Sequence, residues 1–498
     1  MLHPRAFPSP LLTSLVAATL LAACGGSDDD SPAPPPPPVA EETRPHDARV
    51  FTADATATTF DALAPAAGDS ADFSTTSRWA GVRGGAAYRV EVPANWNGIL
   101  VMYAHGYRGE GAALTVSNPS IRRHLLSQGY AWAASSYSKN YYDVRAGVED
   151  TNALALAFNS IAQAAGRPLA TPSKIYITGH SMGGHVTGAA IEAETRATAI
   201  NKVNYAGAVP MCGVMGDAEL FNQFAGIQMS AQALAGIPSY PSARWSEVAG
   251  LVTGTLFRSF PSASAPTAQI AVTAQGQAFA SVLQNITGGT RPIFDLGLAF
   301  GGSFPSLWGA LGGDGTITGI LNKNVLDTNA YTYTITGDTA GSTALNAAVQ
   351  KLTAAPDANR LRTDGLRWIP QINGEFSVPV VSIHTLGDLF VPFSMQQVYA
   401  RRAAAKGNGD RLVQRAIRGA SHCDFTVAEQ VAAFEAMVVW ERDGIKPGGD
   451  DVLTAATVAA PTYGCSYTVN TLGPDEGGAT LALRNTVAAL APCTAPTE

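Results

Sequence analysis

The chain has 498 residues, a net charge of −7 and a charged fraction of only 14%. That length exceeds one minimal domain but fits one large domain with insertions. The low, slightly acidic charge excludes the basic surface that nucleic-acid binding needs, while abundant Ala and Gly suit a compact exported chain.

The first elements belong to targeting. Arg5 lies in a short basic stretch, and Leu11 to Ala23 form an apolar run too short for an ordinary membrane-spanning helix. The run ends Leu21-Ala22-Ala23-Cys24, which resembles the lipobox of bacterial lipoproteins. The resemblance implies cleavage after residue 23 and acylation of Cys24, giving a stable membrane anchor. Gly25 rather than Asp follows the cysteine, which by the same resemblance directs the protein to the outer membrane or cell surface; a periplasmic or freely secreted protein is the alternative. Residues 24–45, with Asp28 to Asp30 and Pro35 to Pro38, cannot build a core and are expected to form an extended tether.

Ala86–Val92 reads as a strand, Pro93 to Gly98 as a turn, and Ile99–Ala104 as a buried strand ending at His105-Gly106-Tyr107. Tyr130 to Ser136 is a further strand. Asp150 to Ala165 has helical spacing, with Gly166 and Pro168 as stop signals. The strand at 174–178 runs into Gly179-His180-Ser181-Met182-Gly183, followed by a helix from Met182 to about Ala197. This is the Gly-x-Ser-x-Gly pattern in which a serine sits on a strained strand-to-helix turn, and side chains at 179 and 183 would collide with neighbouring backbone. Tyr205 to Cys212 is the next strand. Strands alternating with helices indicate a mostly parallel sheet covered on both faces.

The alternation then stops. Residues 214–375 hold amphipathic stretches, aromatic turns such as Phe300 to Trp308, and a polar segment from Asp327 to Ser342. They are expected to form a large, mainly helical lid, because they leave from the sheet edge where open α/β sheets bind ligands. The core resumes over 376–445 with a strand at Val378 to His384, a last strand at Val413 to Ile417 and an amphipathic helix from Val427 to Gly444. Residues 446–498 are expected to be a small disulfide-tied strand pair. Apart from Cys24 there are four cysteines, Cys212, Cys423, Cys465 and Cys493, an even number that favours disulfides and leaves three possible pairings.

Four motifs together resemble the α/β-hydrolase superfamily, over about 85–213 and 376–445. The first part of that core is taken as 46–213. The resemblance implies an α/β-hydrolase fold with Ser181 as nucleophile. His422, in Gly419-Ala420-Ser421-His422-Cys423 between the last strand and the last helix, becomes the general base. His180 and His185 flank the serine but point away from it by the elbow geometry. Asp388, in Thr385-Leu386-Gly387-Asp388-Leu389-Phe390-Val391-Pro392, becomes the orienting acid, which gives the order Ser…Asp…His. Asp217, after the preceding strand, is its rival. The oxyanion-hole donors are the backbone N–H groups of Met182 and Tyr107. Cys212 and Cys423 should meet at the C-terminal edge of the sheet, and their bond would brace the histidine loop. Cys465–Cys493 then staples the tail. Tannases and feruloyl esterases also carry a cysteine beside the catalytic histidine, but pair it with one preceding the serine, where this chain has His180.

No phosphate-binding loop, dinucleotide fingerprint or metal-ligand cluster is present in the sequence, so neither cofactor nor metal is expected. The expected activity is cleavage of carboxylic esters with apolar acyl or aromatic groups, including lipids or polyester fragments. Amide cleavage by the same residues is one alternative, and a non-enzymatic surface binding module is another.

Overall fold

Eight strands form one sheet in the computed structural model, which describes residues 41–70, 73, 75–265, 267–300, 303–313 and 319–493. The lipobox, Cys24 and most of the tether lie outside the described residues. From Glu42 onward the chain folds as one unit. In chain order the strands are β1 (Ser77–Arg83), β2 (Ala86–Val92), β3 (Ile99–Ala104), β4 (Ala131–Ser135), β5 (Lys174–His180), β6 (Gly207–Met211), β7 (Val380–Thr385) and β8 (Leu412–Ile417). They are ordered β1-β2-β4-β3-β5-β6-β7-β8, and only β2 runs against the rest.

The central strands are apolar on both faces because both faces are covered. On β3, Leu100 and Met102 pack to one side with Phe158 and Val186, while Val101 and Tyr103 pack to the other with Phe434 and Met437. The covering helices are α1 (Val144–Ala164) and α2 (Met182–Ala190) on the first side. The second side is covered by the long helix Val427–Asp443, which starts with a capping box between Thr426 and Glu429.

Between β6 and β7 the lid is mainly helical, as expected. It contains α3 (Glu219–Leu234), α4 (Trp245–Leu256), α5 (Ala274–Ile286), α6 (Phe294–Phe300) and α7 (Ser303–Ala310), with a short antiparallel pair at Phe257–Ser259 and Ala271–Val272. Its own core is aromatic. Trp308 meets Trp245, Phe257 and Phe304 with ring centroids 5.2, 5.3 and 5.6 Å apart.

Several elements differ from the sequence reading. The stretch Phe300 to Trp308, read as a turn, is helical where it is described, because Phe304, Leu307 and Trp308 bury one face together. α1 begins six residues early, at Val144, where the Asp143 side chain accepts the N–H of Ala146. The helix after Ser181 ends at Ala190, and a separate one, Ala193–Thr198, follows Glu192. The C-terminal extension has no strand among the described residues. It follows α8 (Val427–Asp443) with a loop, a single helical turn at Ala455–Val458 and then α9 (Gly478–Leu490), whose Arg484 is buried against Glu429 at 2.5 Å. β1 went unread, although Gly84-Gly85, both at positive φ, marks its hairpin with β2.

Both expected disulfides form, Cys212–Cys423 and Cys465–Cys493. They place the folded chain in an oxidising compartment. Among the described residues no helix is long and apolar enough to cross a membrane.

Candidate active site

Ser181 stands at the tip of the turn between β5 and α2 with φ 58° and ψ −122°, a backbone conformation that few non-glycine residues adopt. Its N–H donates to the Met211 carbonyl (3.0 Å), and its carbonyl accepts the His185 N–H (3.1 Å). The expected glycine requirement holds. A Cβ at Gly179 would lie 2.6 Å from the Ala104 carbonyl oxygen, one at Gly183 would strike the same carbonyl, and one at Gly184 would lie 2.6 Å from the Gly213 Cα. The turn is tight because three backbone segments converge beneath it.

The β7 and β8 loops deliver two further side chains to Ser181. His422 Nε2 lies 2.8 Å from Ser181 Oγ, and His422 Nδ1 lies 2.6 Å from Asp388 Oδ2. The other oxygen of Asp388 accepts the N–H groups of Phe390 (2.9 Å) and Val391 (3.0 Å). The two loops interlock. Gly387 N–H donates to the Gly419 carbonyl (2.9 Å), Thr385 Oγ1 donates to the Ser421 carbonyl (2.8 Å), and a Cβ on Gly387 would lie 2.6 Å from Ala420 Cα. The Cys212–Cys423 bond ties the histidine loop to the end of β6. Cys212, His422 and Cys423 are close enough to resemble a metal cluster, but both sulfurs are consumed in the disulfide.

Asp217 does not reach this site. Its Oδ2 pairs with Arg402 (2.6 Å) and accepts the Ile372 N–H (3.0 Å), which ties the end of the lid to the core. The flanking histidines also face elsewhere. His180 meets Gln430 and Tyr103, while His185 donates from Nε2 to the Pro370 carbonyl and accepts the Tyr142 hydroxyl at Nδ1 (2.8 Å). Burial pushes both down to about 4, so they are neutral.

The loop after β3 passes close to Ser181. A Cβ at Gly106 would lie 3.2 Å from Ser181 Cβ. His105 fixes this loop. Its ring stacks on Tyr137 (4.0 Å), its Nδ1 donates to the Gly106 carbonyl (2.6 Å), and its own carbonyl accepts the Tyr137 hydroxyl (2.9 Å). Tyr107 and Ser181 line a cavity of about 690 Å³. Its far wall comes from the lid, through Phe221, Phe224 and Leu311, and Phe390 closes the side next to His422. The lid thus covers the site.

Two supports of the acid loop were not foreseen. His384 ends β7, donates from Nε2 to the Val391 carbonyl (2.7 Å) and accepts from Gln396 at Nδ1 (3.1 Å). Burial pushes it down to about 4, leaving it a neutral strut under Asp388. Arg291 comes from the lid, is buried, and donates from Nε to the Leu386 carbonyl (2.7 Å). The position of His384 at a strand end beside the acid was a usable signal. Nothing in the sequence near Arg291 announces its partner.

Strand order, serine turn and the acid and histidine loops define an α/β-hydrolase fold. Among solved structures the chain is similar in path to feruloyl esterase B from Aspergillus oryzae (15% identity, TM-score 0.41, 75% of this chain and 82% of that one). It is likewise similar to tannin acyl hydrolase from Aspergillus niger (11%, 0.39, 75% and 79%) and to Candida antarctica lipase A (13%, 0.33, 83% and 84%). Among curated proteins it is 33% identical to an o-phthalyl amidase of Xanthobacter agilis over 90 residues, which is 18% of this chain and only 20% of that protein. No known sequence-family description matches the chain.

Proposed function

We propose that the protein is a serine hydrolase that cleaves carboxylic esters through an acyl-enzyme. The carrying observation is the continuous hydrogen-bonded relay Ser181–His422–Asp388 with Ser181 opening into a largely apolar cavity. In this reading Ser181 Oγ attacks the acyl carbon and its proton passes to His422 Nε2. Asp388 holds the other ring nitrogen protonated and stabilises the imidazolium. The tetrahedral oxyanion is met by the N–H groups of Met182, at the first turn of α2, and Tyr107, on the loop held against Ser181; each such donor contributes about 3 kcal/mol of transition-state stabilisation. The alcohol leaves with the proton from His422. Water, deprotonated by the same nitrogen, then releases the acid and restores Ser181.

Phe221, Phe224, Leu220 and Phe390 suit an apolar acyl or aromatic group. Acylated Cys24 would hold the enzyme at the outer membrane or cell surface, where such esters are met outside the cell. Amide cleavage by the same relay is the second reading, supported by the 90-residue similarity to the phthalyl amidase. The test is initial rates on p-nitrophenyl esters from acetate to palmitate and on the matching anilides, for wild type and Ser181→Ala. Ester turnover above anilide turnover, lost in the variant, is expected. Anilide turnover alone would establish the amidase, and no serine-dependent turnover of either would sink both readings.

A further inference from the structure

The cavity in front of Ser181 carries a single charged group among its described lining residues, the Glu110 carboxylate. Glu110 is half-buried, on the same loop as Tyr107, and its Oε1 accepts the Tyr107 hydroxyl at 3.5 Å. Burial and this neighbouring carboxylate push the Tyr107 phenol up to about 12, so it remains a donor.

Among the described residues no cation balances Glu110 from the opposite wall. From Val203 to Asn322 the sequence has only Arg244, Arg258 and Arg291 as cations. None of the three lines the cavity. Arg291 is turned under the acid loop, Arg244 is paired in solvent with Glu247, and Arg258 is exposed. Arg108, beside Tyr107, is exposed and also outside the lining. Among the described lining residues the one fixed charge is therefore negative, and the low-dielectric aromatic walls preserve its field, while Arg108 acts from outside the lining.

We infer that Glu110 is a specificity residue that restricts the substrate to neutral or cationic esters and rejects acyl or alcohol groups ending in a free carboxylate. The inference rests on the serine hydrolase reading. It separates this pocket from one built for an anionic aromatic acid, which would need a counter-cation the wall does not offer.

The test is kcat/KM at low ionic strength for three esters sharing one skeleton and ending in a methyl, a carboxylate or a trimethylammonium group. The charge is placed on the acyl end in one series and on the alcohol in another. Wild type, Glu110→Gln and Glu110→Lys are compared, with Ser181→Ala as blank. In at least one series the wild type should favour the ammonium ester over the carboxylate by about tenfold or more, and 0.5 M salt should shrink the ratio. Glu110→Gln should bring the ratio within about threefold of unity, and Glu110→Lys should invert it. A neutral ester cleaved well while both series show no charge preference, or a preference that Glu110→Gln leaves intact, would overturn the assignment and spare the hydrolase. Absence of Ser181-dependent turnover of the neutral ester would overturn the hydrolase reading itself, and this inference with it.

Discussion

Each oxygen of the Asp388 carboxylate has its own task. Oδ1 is held by two backbone N–H groups and Oδ2 faces the His422 ring, so the side chain cannot turn without breaking bonds at both ends. An amide at 388 cannot accept at both positions, and the His422 tautomer is lost. Asp388→Asn is therefore expected to lower kcat by about 10⁴ with KM little changed. Asp217 makes the comparison decisive, because it is an equally buried acid in the position some related folds use. It is spent on Arg402 and the Ile372 N–H, so Asp217→Asn should lower the melting temperature and leave kcat within about threefold. A collapse of kcat in Asp217→Asn with Asp388→Asn active would exchange their roles. Ser181, Asp388 and His422 were readable because each lies in a short local pattern, in an order the fold dictates. Phe390 and Arg291 make their contacts across the lid and the loops, and Glu110 matters through the pocket wall it joins, so none of the three carries a local signature.

At the level of elements, the lid and the acid loop are one mechanical piece. α6 lies so close to the loop that a Cβ on Gly297 would come within 2.7 Å of the Gly387 Cα, one residue from Asp388. Ser303 Oγ accepts the Leu389 N–H (3.2 Å), and Arg291 holds the Leu386 carbonyl. Pushing α6 away displaces the acid. Gly297→Ala is expected to lower kcat by about tenfold or more, since misplacements of about 1 Å in a catalytic constellation cost up to 10². Gly254→Ala in α4 meets open space and, as a Gly-to-Ala change inside a helix, should raise stability by up to about 1 kcal/mol without changing kcat. Steady-state rates and thermal melts on the two variants check this pair. Equal rates in both would mean that the lid does not set the acid. The buried strands β3, β5 and β7 were legible as dense apolar runs because both their faces are covered. β1 is an edge strand of mixed polarity, and its pattern alone resembles a loop. The C-terminal extension misled for a different reason. Its helix α9 is secured by Arg484 reaching Glu429 on α8, a tertiary contact that short-range spacing cannot reveal.

Over the whole molecule, the buried titratable groups oppose one another in pH. His105, His180, His185 and His384 are each pushed down to about 4 by burial and are neutral in the folded chain. As pH falls through 6.5 the unfolded chain takes up these protons and the folded chain does not until about 4, so stability drops as pH is lowered across that window. The carboxyls of Glu192, pushed up to about 7, and of Asp150 and Asp424, pushed up to about 6, act with the other sign. Burial keeps them protonated in the fold while the unfolded chain has already ionised, so their share of stability is lost as pH rises from near 4.5 to 7. Burial pushes the carboxyls of Asp217, Glu429 and Asp450 up in the same sense. Between pH 5 and 6 the two sets therefore pull stability in opposite directions, and the sign of its slope with pH reads which set prevails. Glu192 gives a direct handle, since its oxygens accept the Gly374 and Glu375 N–H groups (2.9 and 3.0 Å) at the junction of lid and core, away from Ser181. Glu192→Gln removes one opposing group. Its stability is expected to be lower overall, because one of the two accepting oxygens becomes an amide group that cannot accept, yet its slope with pH should shift by about one proton toward rising stability over the same window. Denaturant unfolding at half-unit steps from pH 4.5 to 7 measures both slopes. An unchanged slope in Glu192→Gln would show that Glu192 ionises normally in the fold, and a wild type losing stability as pH rises would mean that the acids outweigh the histidines.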